Sequence, residues 1–279
     1  MPARLPGRFL IALACDGQVR VMCAVMDGPA DELRERHLLE PTAARLAAEG
    51  LVASVLLSAH IKGEERMTVE VRSERPLFTF SADIDASGAC RARFSPTRID
   101  GPPRFTGVIA ATKSLGPKVL YRGVAEVRDE RFEGALCRYL TDSVQVDARV
   151  RIEAATGKDG RVNFASGLLV ERMPGMSAET FAHLFDRPLE EDFRALMTNF
   201  AFGQLAGGRV EVLGSQDFLY QCSCSRERVV AMLETLGRVE MQKLRDEQGL
   251  AEVTCHYCNT RYEVTGPELD ALIRTAEGD

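Results

Sequence analysis

Four cysteines near the C-terminus have the types and spacing that do chemistry. Cys222 and Cys224 are one residue apart in "YQCSCSRERVV", and Cys255 and Cys258 are two apart in "TCHYCNTRY". A structural Zn²⁺ takes four ligands tetrahedrally with Zn–S of about 2.3 Å, and two cysteines close in sequence share one ion because the turn between them brings both sulfurs to one side. One Zn²⁺ per reduced chain, held by Cys222, Cys224, Cys255 and Cys258, is therefore expected. Four thiolates on one dication leave a charge of about −2. Arg226, Arg228 and Arg261 are expected to offset that charge and keep the thiols deprotonated. His256 lies inside the second turn, where four sulfurs already suffice, and is expected to face solvent.

A plain zinc ribbon uses Cys-x-x-Cys twice, so the Cys-x-Cys half is unusual. A disulfide between Cys222 and Cys224 is tight and easily reduced. The combination suggests a switch: zinc-bound thiolates when reduced, and two local disulfides, Cys222–Cys224 and Cys255–Cys258, with the metal released when oxidised. The remaining cysteines, Cys15, Cys23, Cys90 and Cys137, are scattered and read as core packing.

No other constellation points to chemistry. His37, His60 and His183 have no Ser, Cys or acidic partner at readable spacing, so no triad or acid/base pair can be argued. "AGG" and "GKDG" are turn signals without a phosphate-binding motif around them. The expectation is a protein that binds rather than turns over. Its 279 residues carry 35 Lys and Arg against 41 Asp and Glu, a formal charge of −6, which argues against nucleic acid as the main partner. "RFLIALAC" is too short an apolar run to span a bilayer and reads as an early strand. Eight cysteines in a chain read as cytoplasmic point to metal or redox chemistry before structural disulfides.

The elements that must position these residues fall into three parts. Residues 1–175 read as a core domain. "VRVMCAVMD" is a strand, and "PTAARLAAEGLVASVLLSAHI" is a helix apolar on nearly every face and so buried. "MTVEVR", "LFTFSADI" and "ACRARF" form an antiparallel meander, and "VIAAT" and "VLYRGVAEV" flank a Gly-Pro turn. "FEGALCRYLTDS" is a short helix before two further strands, "VDARVRI" and "VNFASGLLVERM". Residues 176–217 read as a helical linker whose apolar Phe181, Leu184, Phe185, Phe193, Leu196, Met197, Phe200 and Phe202 need a partner surface. Residues 218–279 read as the zinc module. There Ser225 caps a helix bearing Val229, Val230, Leu233 and Leu236, a second helix stops at Gly249, "LAEVTC" and "RYEVT" are two strands, and Thr265-x-x-Glu268 opens a terminal helix.

These motifs resemble the heat-shock protein 33 family of redox-regulated holdase chaperones. The likeness is strongest in "CSCSRERVVAMLETL" and in Cys255-His256-Tyr257-Cys258 followed by "RYEV", and continues more weakly in "LVASVLLSAHIKGEERMTVEV", "YRGVAEV", "LCRYLTDS" and "GLLVERMPG". The resemblance implies an α+β fold: a core with a central antiparallel sheet and packed helices, a helical linker covering its apolar surface, and a small zinc module with four cysteine ligands. It further implies stress-response binding of unfolded or oxidatively damaged client proteins without ATP after oxidation, and a homodimer when active, with no nucleic-acid or membrane partner. The rival reading is a zinc-ribbon nucleic-acid-binding protein, since Cys-rich turns with nearby arginines often read nucleic acid.

Overall fold

The computed structural model describes residues 5–183 and 210–275, and the chain divides into two compact units, Met1–Gln221 and Cys222–Asp279. In the first unit ten strands are formed: β1 Gly7–Ala14, β2 Val19–Val25, β3 Glu65–Arg75, β4 Leu77–Asp85, β5 Ala89–Ser95, β6 Phe105–Leu115, β7 Lys118–Glu130, β8 Ala148–Thr156, β9 Val162–Arg172 and β10 Glu211–Tyr220. They make one sheet in the order β7-β6-β3-β4-β5-β10-β1-β2-β9-β8. Every pairing is antiparallel except a two-residue parallel contact of β10 with β5. The expected central antiparallel sheet, meander and hairpin are all present.

After α1, Asp27–Arg36, helix α2, Pro41–Leu57, packs against β2, β3, β4, β5, β8 and β9 of this sheet. Proline at its first turn pre-sets the backbone, and every residue from Leu46 to Leu57 is buried. The run Pro41–His60 is long and apolar enough to cross a membrane, yet 83% of its apolar window is buried within the unit, as a core helix is. Two glycines allow close approach. A Cβ at Gly50 would lie 2.8 Å from the Phe80 ring, and one at Gly167 of β9 would lie 2.4 Å from Val52 Cγ1. Around the helix Phe78, Phe80, Phe94, Phe105 and the Phe132 ring of α3 (Phe132–Tyr139) interlock with centroids 5.0 to 5.6 Å apart.

β1, β2 and β9 are apolar on both faces. Their second face carries Ala14, Val19, Val21, Cys23, Phe164, Leu168 and Val170, and it is covered by Met176 and by Phe181 of α4 (Ala178–His183). Phe181 is wholly buried, with the Arg149 guanidinium 5.4 Å over its ring. The other apolar linker residues, Leu184, Phe185, Phe193, Leu196, Met197, Phe200 and Phe202, lie outside the described residues.

Helix α3 packs against both edge strands, β7 and β8. Glu133 Oε2 accepts from Ile152 N–H at 3.0 Å, and Arg45 Nε donates to the Ala154 carbonyl at 3.2 Å, both on β8. In the π-turn that follows α3, Leu140–Val144, Ser143 Oγ donates to the Val124 carbonyl of β7 at 2.7 Å. Side chains thus blunt both edges against stray strand pairing.

Two results differ from the sequence reading. Residues 211–220, split there between linker and zinc module, form β10 inside the first unit's sheet, so the compact division falls at Gln221. His60, read as partnerless, has its Nε2 3.0 Å from Glu171 Oε1, and Arg20 Nε donates to Glu171 Oε2 at 2.8 Å. Glu171 is far from His60 in sequence, beyond any spacing rule. Burial alone would push its carboxyl up, but His60 and Arg20 outweigh that and hold it below the ordinary glutamate value.

Candidate metal centre

The second unit is small and its apolar cluster is short: Val229, Leu233, Ala251, Val264 and Leu269. Helix α5, Arg226–Glu234, starts where Ser225 accepts from the Arg228 backbone N–H at 3.3 Å. Val229 and Leu233 face inward from it, Val230 is half-buried, and Leu236 is exposed. Helix α6, Arg238–Gln248, ends on Gly249 with φ of 71°, a left-handed conformation that suits glycine. β11 Leu250–Thr254 and β12 Arg261–Thr265 pair antiparallel, and α7, Gly266–Thr275, follows directly. Its opening is the expected capping box, with Glu268 Oε2 accepting from Thr265 N–H and Oγ1, each at 2.8 Å.

The β11–β12 turn places Cys255 and Cys258. Cys255 N–H donates to the Thr260 carbonyl at 2.9 Å and Asn259 N–H to the Cys255 carbonyl at 2.8 Å, with Asn259 left-handed at φ of 58°. The other pair lies in the short run between β10 and α5. Arg228 Nη1 donates to the carbonyl of Ser223, the residue between Cys222 and Cys224, at 2.7 Å and so holds that turn.

All four sulfurs lie within 4.8 Å of one another. Cys222 Sγ is 3.6 Å from Cys255 Sγ, and Cys224 Sγ is 3.2 Å from Cys258 Sγ. Four sulfurs about 2.3 Å from one ion would stand about 3.8 Å apart, close to the two distances here and inside the 4.8 Å spread of the cluster. The cluster could therefore bind a metal ion, and a tetrahedral thiolate-preferring ion fits the donor set. His256 is exposed and stands outside it.

The sulfurs are tuned by neighbours that spacing did not point to. Tyr262 Oη donates to Cys224 Sγ at 3.1 Å, and the Thr260 hydroxyl lies 3.2 Å from Cys258 Sγ. Burial opposes ionisation of Cys258, yet the Thr260 hydroxyl and backbone and the adjoining thiols outweigh it and bring its pKa down to about 7. Burial first, and then the crowding of other thiols against the Tyr262 bond, pushes Cys224 up to about 12. One thiol thus ionises more readily than its neighbour, and ionising both, with the sulfurs 3.2 Å apart, calls for a cation between them.

Of the three arginines expected to offset the thiolates, only Arg228 is bonded to a cysteine turn. Arg226 donates to the Glu263 carbonyl and, at 2.5 Å, to Glu268, tying the starts of α5 and α7 together. Arg261 is paired with Glu252 and Glu263 along the β11–β12 ladder. Tyr262, on β12, was legible in the sequence only as a strand aromatic.

A family model described as Hsp33 protein matches residues 8–265. Among curated relatives, the 33 kDa chaperonin of Bacillus subtilis (strain 168) is 28% identical, the alignment covering 94% of this chain and 96% of that protein. The 33 kDa chaperonin of Geobacillus kaustophilus is also 28% identical, over 97% and 99%. Among solved structures, the 33 kDa chaperonin (heat shock protein 33 homolog) of Thermotoga maritima superposes with a TM-score of 0.83 over 98% of this chain and 99% of that one. At 22% sequence identity that likeness speaks for the fold.

Proposed function

This chain belongs to the Hsp33 family of chaperones, and on that footing we propose that it is an ATP-independent holdase switched by oxidation of its four-cysteine centre. The supporting observation is the convergence of Cys222, Cys224, Cys255 and Cys258 from two separate turns onto one point. In the reduced state these thiolates would hold one Zn²⁺, with the Tyr262 hydroxyl donating to Cys224 Sγ, the Thr260 hydroxyl beside Cys258 Sγ and Arg228 fixing the first turn. Bound there, the ion would cross-link two segments of a unit whose apolar cluster is short.

Oxidation joins Cys222 to Cys224 and Cys255 to Cys258. Each S–S bond forms as two thiolates give up two electrons; hydrogen peroxide accepts them, with two protons from solvent, as its O–O bond breaks and two waters leave. A disulfide sulfur is no longer a thiolate ligand, so the metal departs. Residues 222–279 act as the switch, residues 176–210 as the linker and residues 1–175, completed by β10, as the client-binding core. Burial of Met176 and Phe181 on the second face of β1, β2 and β9 supports the linker's role as a cover. Reduced thiols as the resting form would suit a cytoplasmic chain. The active form is a homodimer, its partners are unfolding or oxidatively damaged proteins, and nothing is turned over.

Zinc content and suppression of client aggregation, measured on one preparation before and after peroxide with mild heat, test this reading. One zinc and no holdase activity before, then no zinc and strong activity after, is the expected result. Activity that is equal in both states would overturn the switch.

A further inference from the structure

We infer that the cavity between α2, the start of α3 and β8 binds a small polyvalent oxyanion, a phosphate or carboxylate compound, on the guanidiniums of Arg45 and Arg131.

The cavity holds about 630 Å³, within the range of small-molecule sites. It is lined by Arg45 of α2, by Arg131 and Glu133 at the start of α3, by Arg151 and Glu153, and by the β8 chain from Ile152 to Thr156. A lining this rich in charge suits a charged ligand. The signs of the committed groups decide which charge it carries. Glu133 is turned to β8, where its Oε2 accepts from the Ile152 N–H at 3.0 Å, and Glu153 faces Arg151 at 4.0 Å.

Arg45 and Arg131 are less fully engaged. Arg45 donates to the Ala154 carbonyl through Nε, at 3.2 Å, and Arg131 donates to Glu49 Oε1 through Nη2, at 2.6 Å. Arg131 Nε is buried with no hydrogen-bond partner among the described residues, and so is Oε2 of Glu49. Glu49 itself is wholly buried, one helical turn from Arg45 on the same face of α2. Buried polar groups left unmatched are costly, so two of them in one arginine–glutamate pair mark a place built around something more. Burial lifts the Glu49 pKa to about 7, so near neutral pH it cancels only part of the guanidinium charge.

The helix start adds to this. The residue that caps α3 is Arg131, which has no acceptor to offer the first-turn N–H groups, and a helix begun in that way attracts negative charge. A guanidinium grips phosphate or carboxylate through two oxygens at once, so two of them beside one helix start call for a ligand with several oxygens. Bound there, it would tie α2, α3 and the edge strand β8 together and stabilise the first unit by linkage.

Calorimetric titration of inorganic pyrophosphate and, separately, of citrate into the full-length reduced chain tests the inference, with Arg45→Gln, Arg131→Lys and, as a control, Arg98→Gln, an arginine 65% exposed and outside the cavity. One anion per chain is expected. Affinity should fall about ten-fold or more in Arg45→Gln and in Arg131→Lys, which keeps the charge and loses the fork, and should hold in Arg98→Gln. Tighter binding of pyrophosphate assigns the site to phosphate compounds, and tighter binding of citrate assigns it to carboxylates. In the parent chain the bound anion should also shield Arg45 and Arg131, but not Arg98, from phenylglyoxal, as read by residue-resolved mass spectrometry. No binding of either anion up to about 10 mM would overturn the site. So would binding that both cavity substitutions leave intact, since the anion would then sit elsewhere on the chain, the cysteine centre included.

Discussion

Phe181→Ala addresses the cover over the second face of the sheet. Phe181 is wholly buried against Val21, Cys23, Leu168 and Val170, on a helix of only six residues. Truncating a buried phenylalanine costs about 3–5 kcal/mol, and the stacked Arg149 guanidinium adds about 0.5–1 kcal/mol. Taking about 3 kcal/mol as the share that falls on docking of α4, the undocked population rises about 150-fold, since about 1.4 kcal/mol is a factor of ten. Cys23 reports it directly. Its thiol is buried beneath the cover and burial holds it well above the usual cysteine range, so it reacts with a maleimide only when the face opens. Cys90, buried in the main core on the other side of the sheet, is the control. Residue-resolved mass spectrometry should show Cys23 alkylation faster by about two orders of magnitude with Cys90 little changed, and holdase activity should appear without oxidant. Equal acceleration at both thiols would mean that the substitution loosens the whole unit, and an unchanged Cys23 would mean that Phe181 does not hold the face shut.

Metal analysis of the reduced protein should find one zinc per chain, much weakened binding in Cys222→Ser and Cys255→Ser, and full retention in His256→Ala; tight stoichiometric zinc in both serine variants would rule out the site. Tyr262→Phe removes the hydroxyl that donates to Cys224 Sγ, and competition with a chromophoric chelator should show affinity down by about ten-fold or more, whereas unchanged affinity would make Tyr262 a packing residue. Glu49, buried in α2, has its pKa raised to about 7, by burial first and against the pull of Arg131. Its folded pKa exceeds its unfolded one, so the stability it contributes is whole below about pH 4.5 and is lost as pH rises through about 7, a difference of about 3 kcal/mol. Urea unfolding at pH 5 and pH 8 should show that loss in the parent and a flatter response in Glu49→Gln. A fragment ending at Gly175 lacks β10 and should fold poorly, while one ending at Gln221 keeps the whole sheet and should bind unfolded protein without oxidant; a folded, inactive Gln221 fragment would place the client surface elsewhere.

The main helix and most of the sheet were legible because their signal is local. An apolar helix with proline at its start has to be buried, and "MTVEVR" alternates as a half-buried strand must. The four-sulfur centre was legible for the same reason, since each half is a short turn whose cysteines announce themselves. β10 was not: of its ten residues only Phe218 is buried, Val212, Leu213 and Leu219 are exposed, and Gly214 interrupts it. It is held in the sheet by backbone pairing with β1, which leaves little trace in the side-chain pattern. Pairs such as His60 with Glu171, or Asp31 with Arg161 at 3.0 Å across 130 residues, depend on the assembled fold and have no spacing to read. The same holds for Tyr262, whose hydroxyl reaches Cys224 from 38 residues away.

β10 also sets a clock on biosynthesis. It is the last strand of its unit to be made, yet it lies between β5 and β1 and is what joins the two halves of the sheet among the described residues. A ribosome adding about 5–20 residues per second needs several seconds to pass from Arg172 at the end of β9 to Tyr220. Throughout that interval the facing sides of β5 and β1 are unpaired, each an open template for strand addition. The newborn chain is thus, for those seconds, the kind of molecule that a holdase exists to protect, and a translation stall before residue 211 would leave it so.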